Sequence, residues 1–175
     1  MEKQPIAIRD LDLPPFTTFD PNGILLVSGQ DAVHANVMTI SWGMFGIMWG
    51  KPIVMVMVRP TRHTWEYITK AADFTVNWMG QDWAEAVQVC GTASGRDMNK
   101  FETTGLHPVR GLQVDSPVIR ESVLAVECRI VYRDTVRPES FIDPSLSFVY
   151  EAEDYHALFY GEVLAACGTE QFRRA

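Results

Sequence analysis

Two stretches of the sequence combine residue types that suit one kind of ligand. Arg59-Pro60-Thr61-Arg62-His63-Thr64 packs two guanidinium groups and two threonine hydroxyls into six residues, at the end of the apolar run Ile53 to Val58. Guanidinium groups offer forked, charge-assisted hydrogen bonds, the chemistry that holds a phosphate. Upstream, Asn36-Val37-Met38-Thr39-Ile40-Ser41-Trp42 leads through Met44-Phe45-Gly46 to Trp49 and Lys51-Pro52. It supplies hydroxyls, backbone groups and wide apolar ring surface, the composition that suits a flat heteroaromatic. A molecule with a phosphate at one end and a ring system at the other, such as flavin mononucleotide (FMN), would engage both.

Each stretch has a plainer alternative. Arg59 is expected at a strand end, with Arg62 to Thr64 opening a helix whose first turn has free N–H groups and a positive dipole end. The same residues would also make a solvated turn capped by Thr61 or Thr64. Thr39 and Ser41 share a side if their segment is a strand, which would equally describe an ordinary barrel strand. The aromatic and methionine residues of 42–49 read as plain core. A third stretch, Cys90-Gly91-Thr92-Ala93-Ser94-Gly95-Arg96-Asp97, is a backbone-rich loop whose glycines let main chain approach a ligand. Arg96 and Lys100 could meet an anion there, or the loop could simply join one helix to the next.

Other motifs fail. Gly46 to Lys51 imitates a phosphate-binding loop but is one residue short, and Pro52 replaces the required hydroxyl. Gly-x-Gly-x-x-Gly and Gly-x-Ser-x-Gly are both missing. His34, His63, His107 and His156 lack metal-ligand spacing and read as surface or singly bonded histidines. Cys90, Cys128 and Cys167 are far apart and odd in number, so reduced structural thiols are expected and no metal site.

The elements that must position these residues belong to a chain of 175 residues, read as one domain over 1–175 with one substantial core. A net charge of −7, from 15 basic and 22 acidic residues, disfavours general nucleic-acid binding and makes any phosphate site a local basic spot. The apolar stretch Val37 to Val58 is broken by Gly43, Gly46, Gly50 and Lys51-Pro52, so it cannot be one membrane-spanning helix. The first residues lack the apolar core of a signal peptide, so a cytoplasmic location is expected. Strands are expected at 24–28, opened by a turn at Asp20-Pro21-Asn22-Gly23, and at 35–42, 53–58, 74–78, 122–132 and 155–164. Helical patterns cover about 62–72, 82–90 and 97–104, the last stopped by Gly105. In 122–132, Leu124, Val126, Cys128 and Ile130 form one face, with Glu127 and Arg129 on the other. Strands do not alternate regularly with helices, which argues against a doubly wound sheet and for an antiparallel barrel with helical insertions.

With these residues in place, the chain resembles the flavin reductase-like family that binds FMN in a split β-barrel, its flavoredoxin branch in particular. The matching stretches are Asn36-x-Met38-Thr39-x-Ser41-Trp42-Gly43, Trp49-x-Lys51-Pro52, Val58-Arg59-Pro60-Thr61-Arg62-x-Thr64, Cys90-Gly91-Thr92-x-Ser94-Gly95-Arg96-Asp97-x-x-Lys100-Phe101 with Thr104-Gly105-Leu106, and Asp154-Tyr155-His156 before Gly161-Glu162-Val163. The resemblance implies a mainly antiparallel, Greek-key-like split barrel with short helical insertions, and a homodimer with FMN near the subunit interface. It implies phosphate contacts from the Thr39/Ser41 strand and from Arg59, Arg62 and Thr64, with Ser94, Gly95 and Lys100 near the flavin. Backbone groups of Asn36, Val37, Met38, Thr39, Ile40, Ser41 and Trp42 would meet the ring. The expected activity is flavin-mediated oxidoreduction, with NAD(P)H reducing the flavin; an FMN-holding electron carrier that never meets a nicotinamide is the alternative. The cofactor carries such chemistry, so no dedicated catalytic acid or base is expected.

Overall fold

The computed structural model describes residues 2–19 and 24–174, so the turn expected at Asp20 to Gly23 lies outside the described residues. Ten strands run β1 (Gln4–Ile6), β2 (Ile24–Gly29), β3 (Ala35–Thr39), β4 (Gly43–Met48), β5 (Lys51–Val58), β6 (Asp73–Trp78), β7 (Pro108–Val109), β8 (Val118–Ile119), β9 (Leu124–Thr135) and β10 (Ala157–Gly168) among the described residues. Three short α-helices lie between them: α1 (Trp65–Ile68), α2 (Ala84–Thr92) and α3 (Lys100–Thr104). The main sheet has the order β3-β2-β6-β9-β10-β5-β4, with β1 on the far half of β10, and every pairing is antiparallel.

Chain connectivity shows why this sheet cannot lie open. β3 and β4 are its two hydrogen-bonded ends, yet only Ile40, Ser41 and Trp42 separate them in sequence. Flat, the seven-strand path would hold its ends roughly 29 Å apart, given ~4.8 Å between strands. Four Cα steps reach at most about 14 Å. The sheet therefore curls until its two edges come near each other, unbonded, and Ile40-Ser41-Trp42 crosses the split. Register shifts between β9 and β10 at Tyr160/Gly161 and Val163/Ala165 bend the two long strands as this closure requires.

Inside the barrel sit alternate residues of each strand, among them Leu26, Val54, Val56, Phe74, Val126 and Phe159. A second cluster covers the outside of β2 and β3, where Leu25, Val27 and Val37 meet Val87 and Cys90 of α2 and Phe101 of α3. β2 is thus buried on both faces, which is why Ile24 to Val27 is a continuous apolar run rather than an alternating one.

Several expectations need correction. The helix expected over 62–72 is only Trp65–Ile68. Arg133 ends it, donating one guanidinium nitrogen to Thr69 O and another to Ala71 O, each at 2.9 Å. Residues 40–42 leave the strand expected at 35–42 because they bridge the split. Residues 42–49 are core only in part: Phe45 packs on the barrel core against Phe19 and Trp78, while Trp42, Met44, Ile47 and Trp49, along the edge strand β4 and its flanks, are exposed. α3 starts at Lys100 rather than Asp97, because Asn99 caps it by accepting from the N–H of Phe101 and Glu102. Glu127 does face outward from β9 yet is buried, accepting from the N–H of Leu112, Gln113 and Val114.

Candidate functional site

The split itself makes a cavity. Thr39, Ile40, Ser41 and Trp42 from the crossing segment face Met57 and Arg59 at the end of β5, with Arg62 and His156 closing a space of about 330 Å³. Seven sequence-expected residues gather here by their own side chains or backbone: Met38, Thr39, Ile40, Ser41, Trp42, Arg59 and Arg62. β3 is a sheet edge, so alternate backbone groups point away from β2. Ile40 N–H bonds back to Ile24 O at 3.2 Å, while Val37 O accepts from Lys100 Nζ at 3.1 Å on the open side. The Val37 side chain is fully buried in the outer core cluster, so only its backbone can serve a site.

A second, smaller space of about 90 Å³ shares Met38 and Arg62 with the first and adds Asn36, Thr64, Ser94, Gly95 and Lys100. Of the expected residues, all but Val37 therefore line these two adjoining spaces. Asn36 and Thr64 are buried and bonded to each other, Nδ2 to Oγ1 at 2.8 Å. Gly95 is required by close approach: a Cβ there would stand 2.2 Å from Asn36 Oδ1 and 2.7 Å from His63 Cδ2.

The cations of this groove are not equivalent. Arg59 is held by the Asp154 carboxylate, donates to Val149 O at 2.9 Å and lies over the Tyr150 ring, 5.2 Å from its centroid. Arg62 makes one bond, to Gly91 O at 2.7 Å, and has no carboxylate partner among the described residues. Lys100 is only 4 % exposed and donates to Val37 O and Cys90 O, at 3.1 and 2.8 Å. Burial pushes its ammonium pKa down, and the positive charge of Arg62 adds to the effect. Two cations facing one small polar space without a carboxylate form a site short of negative charge. The helix-dipole argument for Thr64 falls away, since α1 has four residues and Thr64 makes no side-chain cap bond.

Three residues were not legible as site residues. His156 was read as a surface or singly bonded histidine; it is singly bonded, its Nδ1 2.9 Å from Tyr150 OH, but buried, and it stands 5.1 Å ring to ring from Trp42. Burial, reinforced by Arg59 and opposed by Asp154, lowers its pKa to about 4, so it presents a neutral imidazole to the cavity. Its place in Asp154-Tyr155-His156 was the available signal. Met57, one strand step before Val58, completes the wall, and Tyr150, from a stretch that matched nothing usable, stands behind it against His156 and Arg59. Cys90 is fully buried beneath this groove, and burial pushes its thiol up to about 11, which keeps it protonated and unreactive. No cluster that could hold a metal ion is found among the described residues.

A third and larger space, about 780 Å³, adjoins the second and shares Asn36, Gly95 and Lys100 with it. It runs on past Tyr67, Asp97 and Glu102 toward His107.

Residues 20–173 match the family model described as flavin reductase like domain. The chain is 29% identical over 150 residues to the uncharacterized protein YddH of Escherichia coli, covering 83% of this chain and 69% of that one. Among solved structures it is similar to flavoredoxin of Desulfovibrio vulgaris, with a TM-score of 0.65 at 22% identity over 92% of this chain and 73% of that one. It is also similar to the NADH:FAD oxidoreductase SgcE6 of Streptomyces globisporus, with a TM-score of 0.60 at 21% identity over 83% of this chain and 74% of that one. These likenesses are to split-barrel folds, as the topology here is. No helix among the described residues is long and apolar enough to cross a membrane.

Proposed function

The chain belongs to the flavin reductase-like family, and from that premise we propose that it binds FMN along the groove and works as a flavoprotein oxidoreductase with NAD(P)H as electron donor. The observation that carries this reading is the continuity of two spaces: a cavity at the barrel split where the Trp42 ring, Met57 and His156 face the hydroxyl-bearing Thr39 and Ser41 and, sharing Met38 and Arg62 with it, a pocket with two cations that lack a carboxylate. The donor set fits the group. Arg62, Lys100, Ser94 and the glycine-lined loop at Gly95 would hold the phosphate, while Thr39, Ser41 and the open edge of β3 would meet the polar rim of the ring. Trp42 and Met57 offer apolar walls that exclude water. His156, held by Tyr150 and kept neutral, gives an uncharged hydrogen-bonding group on the same wall. When bound, the flavin supplies the hydride and electron chemistry, and the protein's part is orientation and electrostatics.

We also propose a homodimer that completes this cavity. β4 is an unpaired sheet edge whose outer side chains are apolar and exposed, and Trp42 belongs both to that surface and to the cavity wall.

The test is direct. Purified protein should quench the fluorescence of added FMN with a Kd near ~1 μM or below, about 8 kcal/mol of binding. Stopped-flow mixing of the loaded protein with NADH or NADPH should bleach the flavin within seconds. Missing quenching would sink the binding; quenching without bleaching would favour the electron-carrier alternative over the reductase.

A further inference from the structure

The hydroxyl side chains that line the small space beside Arg62 and Lys100 fall into two kinds. Thr61 gives its proton to Asp154 Oδ2 at 3.3 Å, and Thr92 gives its proton to Gln88 O at 2.9 Å. Thr64 and Ser94 are held from the opposite side. Thr64 Oγ1 accepts from Asn36 Nδ2 at 2.8 Å, and Ser94 Oγ accepts from the N–H of Arg96 at 3.2 Å. Neither of these two hydroxyls donates to an acceptor among the described residues. Thr64 is only 1 % exposed, so an acceptor for its proton must come from whatever fills the space.

The bond from Asn36 has a fixed direction. Its Nδ2 also stands 3.4 Å from Val37 O, a contact that suits an amide N–H and would repel an amide oxygen. The nitrogen therefore faces Thr64. The oxygen lies toward Gly95, where a Cβ would stand 2.2 Å from it, so only glycine leaves room for this orientation. With Asn36 on one lone pair of Thr64 Oγ1, the hydroxyl proton turns away from Asn36. The two cations also hold donors in reserve. Arg62 spends one N–H on Gly91 O, and Lys100 spends two of its three, on Val37 O and Cys90 O.

We infer that Asn36 is a positioning residue for phosphate: by donating to Thr64 Oγ1 it keeps the Thr64 hydroxyl a donor, so that Thr64 and Ser94 each give a proton to a terminal phosphate seated by Arg62 and Lys100. The inference rests on the functional reading above and deepens it, because Asn36 acts through Thr64 and not on the ligand. Four side chains with donors to spare suit a group that only accepts. A phosphate monoester in its dianionic form is such a group, with three strong acceptor oxygens and no proton of its own.

The test is a cycle of wild type, Thr64→Val, Asn36→Ala and the double variant. Calorimetry follows FMN and riboflavin, and NMR titration follows inorganic phosphate. Thr64→Val keeps the shape of the side chain and removes the hydroxyl. It should weaken FMN and inorganic phosphate by about tenfold or more and riboflavin by no more than about threefold. Asn36→Ala should weaken FMN by about tenfold with the same sparing of riboflavin. The two losses should not multiply: the double variant should bind FMN within about threefold of Thr64→Val alone. Where Asn36→Ala fails to fold, Asn36→Asp, which keeps the size of the side chain, takes its place in the cycle. The inference is overturned if Thr64→Val weakens FMN and riboflavin equally, or weakens neither. It is overturned equally if the two single losses multiply in full. Should inorganic phosphate bind with this dependence on Thr64 and Asn36 while FMN does not, the flavin reading fails and the assignment of Asn36 stands. If neither binds, both fall.

Discussion

Arg59 and Arg62 have the same side chain three positions apart, and their surroundings give them different work. Arg59 is already neutralised by Asp154 and fastened to Val149 O and the Tyr150 ring, so it holds residues 149–154 against the cavity wall. Arg62 spends one N–H on a backbone carbonyl and keeps its charge free, beside Lys100, which donates to two carbonyls and likewise has no carboxylate partner among the described residues. A charged hydrogen bond contributes on the order of 1.5–3 kcal/mol. Arg62→Ala should therefore weaken FMN binding by about 10- to 150-fold while leaving riboflavin, which has no phosphate, nearly unaffected. Arg59→Gln should change both ligands by similar, small factors. Paired fluorescence titrations of FMN and riboflavin check this, and a larger phosphate-specific loss at Arg59 than at Arg62 would show the anchor to be misassigned. The sequence pattern marked both arginines as equals because the carboxylate that separates them lies 95 residues from Arg59.

At the level of elements, β10 carries the clearest steric demand. Gly161 lies beside a register shift against β9, and a Cβ on it would point into the barrel, 2.6 Å from both Cys128 Cβ and Phe74 Cζ. Phe74 and Cys128 are fully buried, so neither can retreat. Gly161→Ala should cost roughly 1–3 kcal/mol, the range for overpacking a close-packed interior, and Phe74→Leu in the same chain should recover part of it. Thermal unfolding of the single and double variants decides the matter; an unchanged midpoint for Gly161→Ala would mean the barrel has slack there. β6 and β9 were legible from their alternation, and β5 from its unbroken apolar run between Pro52 and Pro60. β4 was not, since an apolar strand that ends exposed carries the same letters as a buried one. The helix α1 was legible but its early end was not, because the fork of Arg133 that ends it comes from β9. The groove was legible as motifs in chain order, whereas His156 was not: its contact with Trp42 joins residues 114 positions apart, and a lone histidine gives no periodic signal.

The whole molecule presents one surface that a monomer in water does not explain. Along β4 and its turn, Trp42, Met44, Met48 and Trp49 are 45, 57, 39 and 59 % exposed, and Tyr132 of β9 adds a ring at 45 %. Trp49 and Gly50 form the turn from β4 to β5 with φ of +53° and +70°, a conformation that disfavours a bulky side chain. The Trp49 ring is kept there against Tyr132 and Tyr160, at 5.7 and 6.2 Å. Two-residue hairpin loops need positive φ at both positions, and Trp in place of the usual Asn or Gly at the first holds an aromatic ring at the surface. A second copy suits it: an edge strand of one chain can meet the same edge of another, and the net charge of −7 on each then opposes association except where the surface is apolar. Met44→Glu places a carboxylate in each half of such an interface. It should convert a dimer to a monomer in light scattering at about 20 μM, a concentration at which interfaces of ordinary affinity are filled. Trp42 joins this surface to the cavity, so the same variant should weaken FMN binding by roughly tenfold, with its far-ultraviolet circular dichroism unchanged. Added salt, by screening the repulsion, should strengthen the wild-type dimer. A wild-type chain that stays monomeric at these concentrations, and binds FMN as well as Met44→Glu does, would show that the cavity is complete within one subunit and that the exposed face serves another purpose.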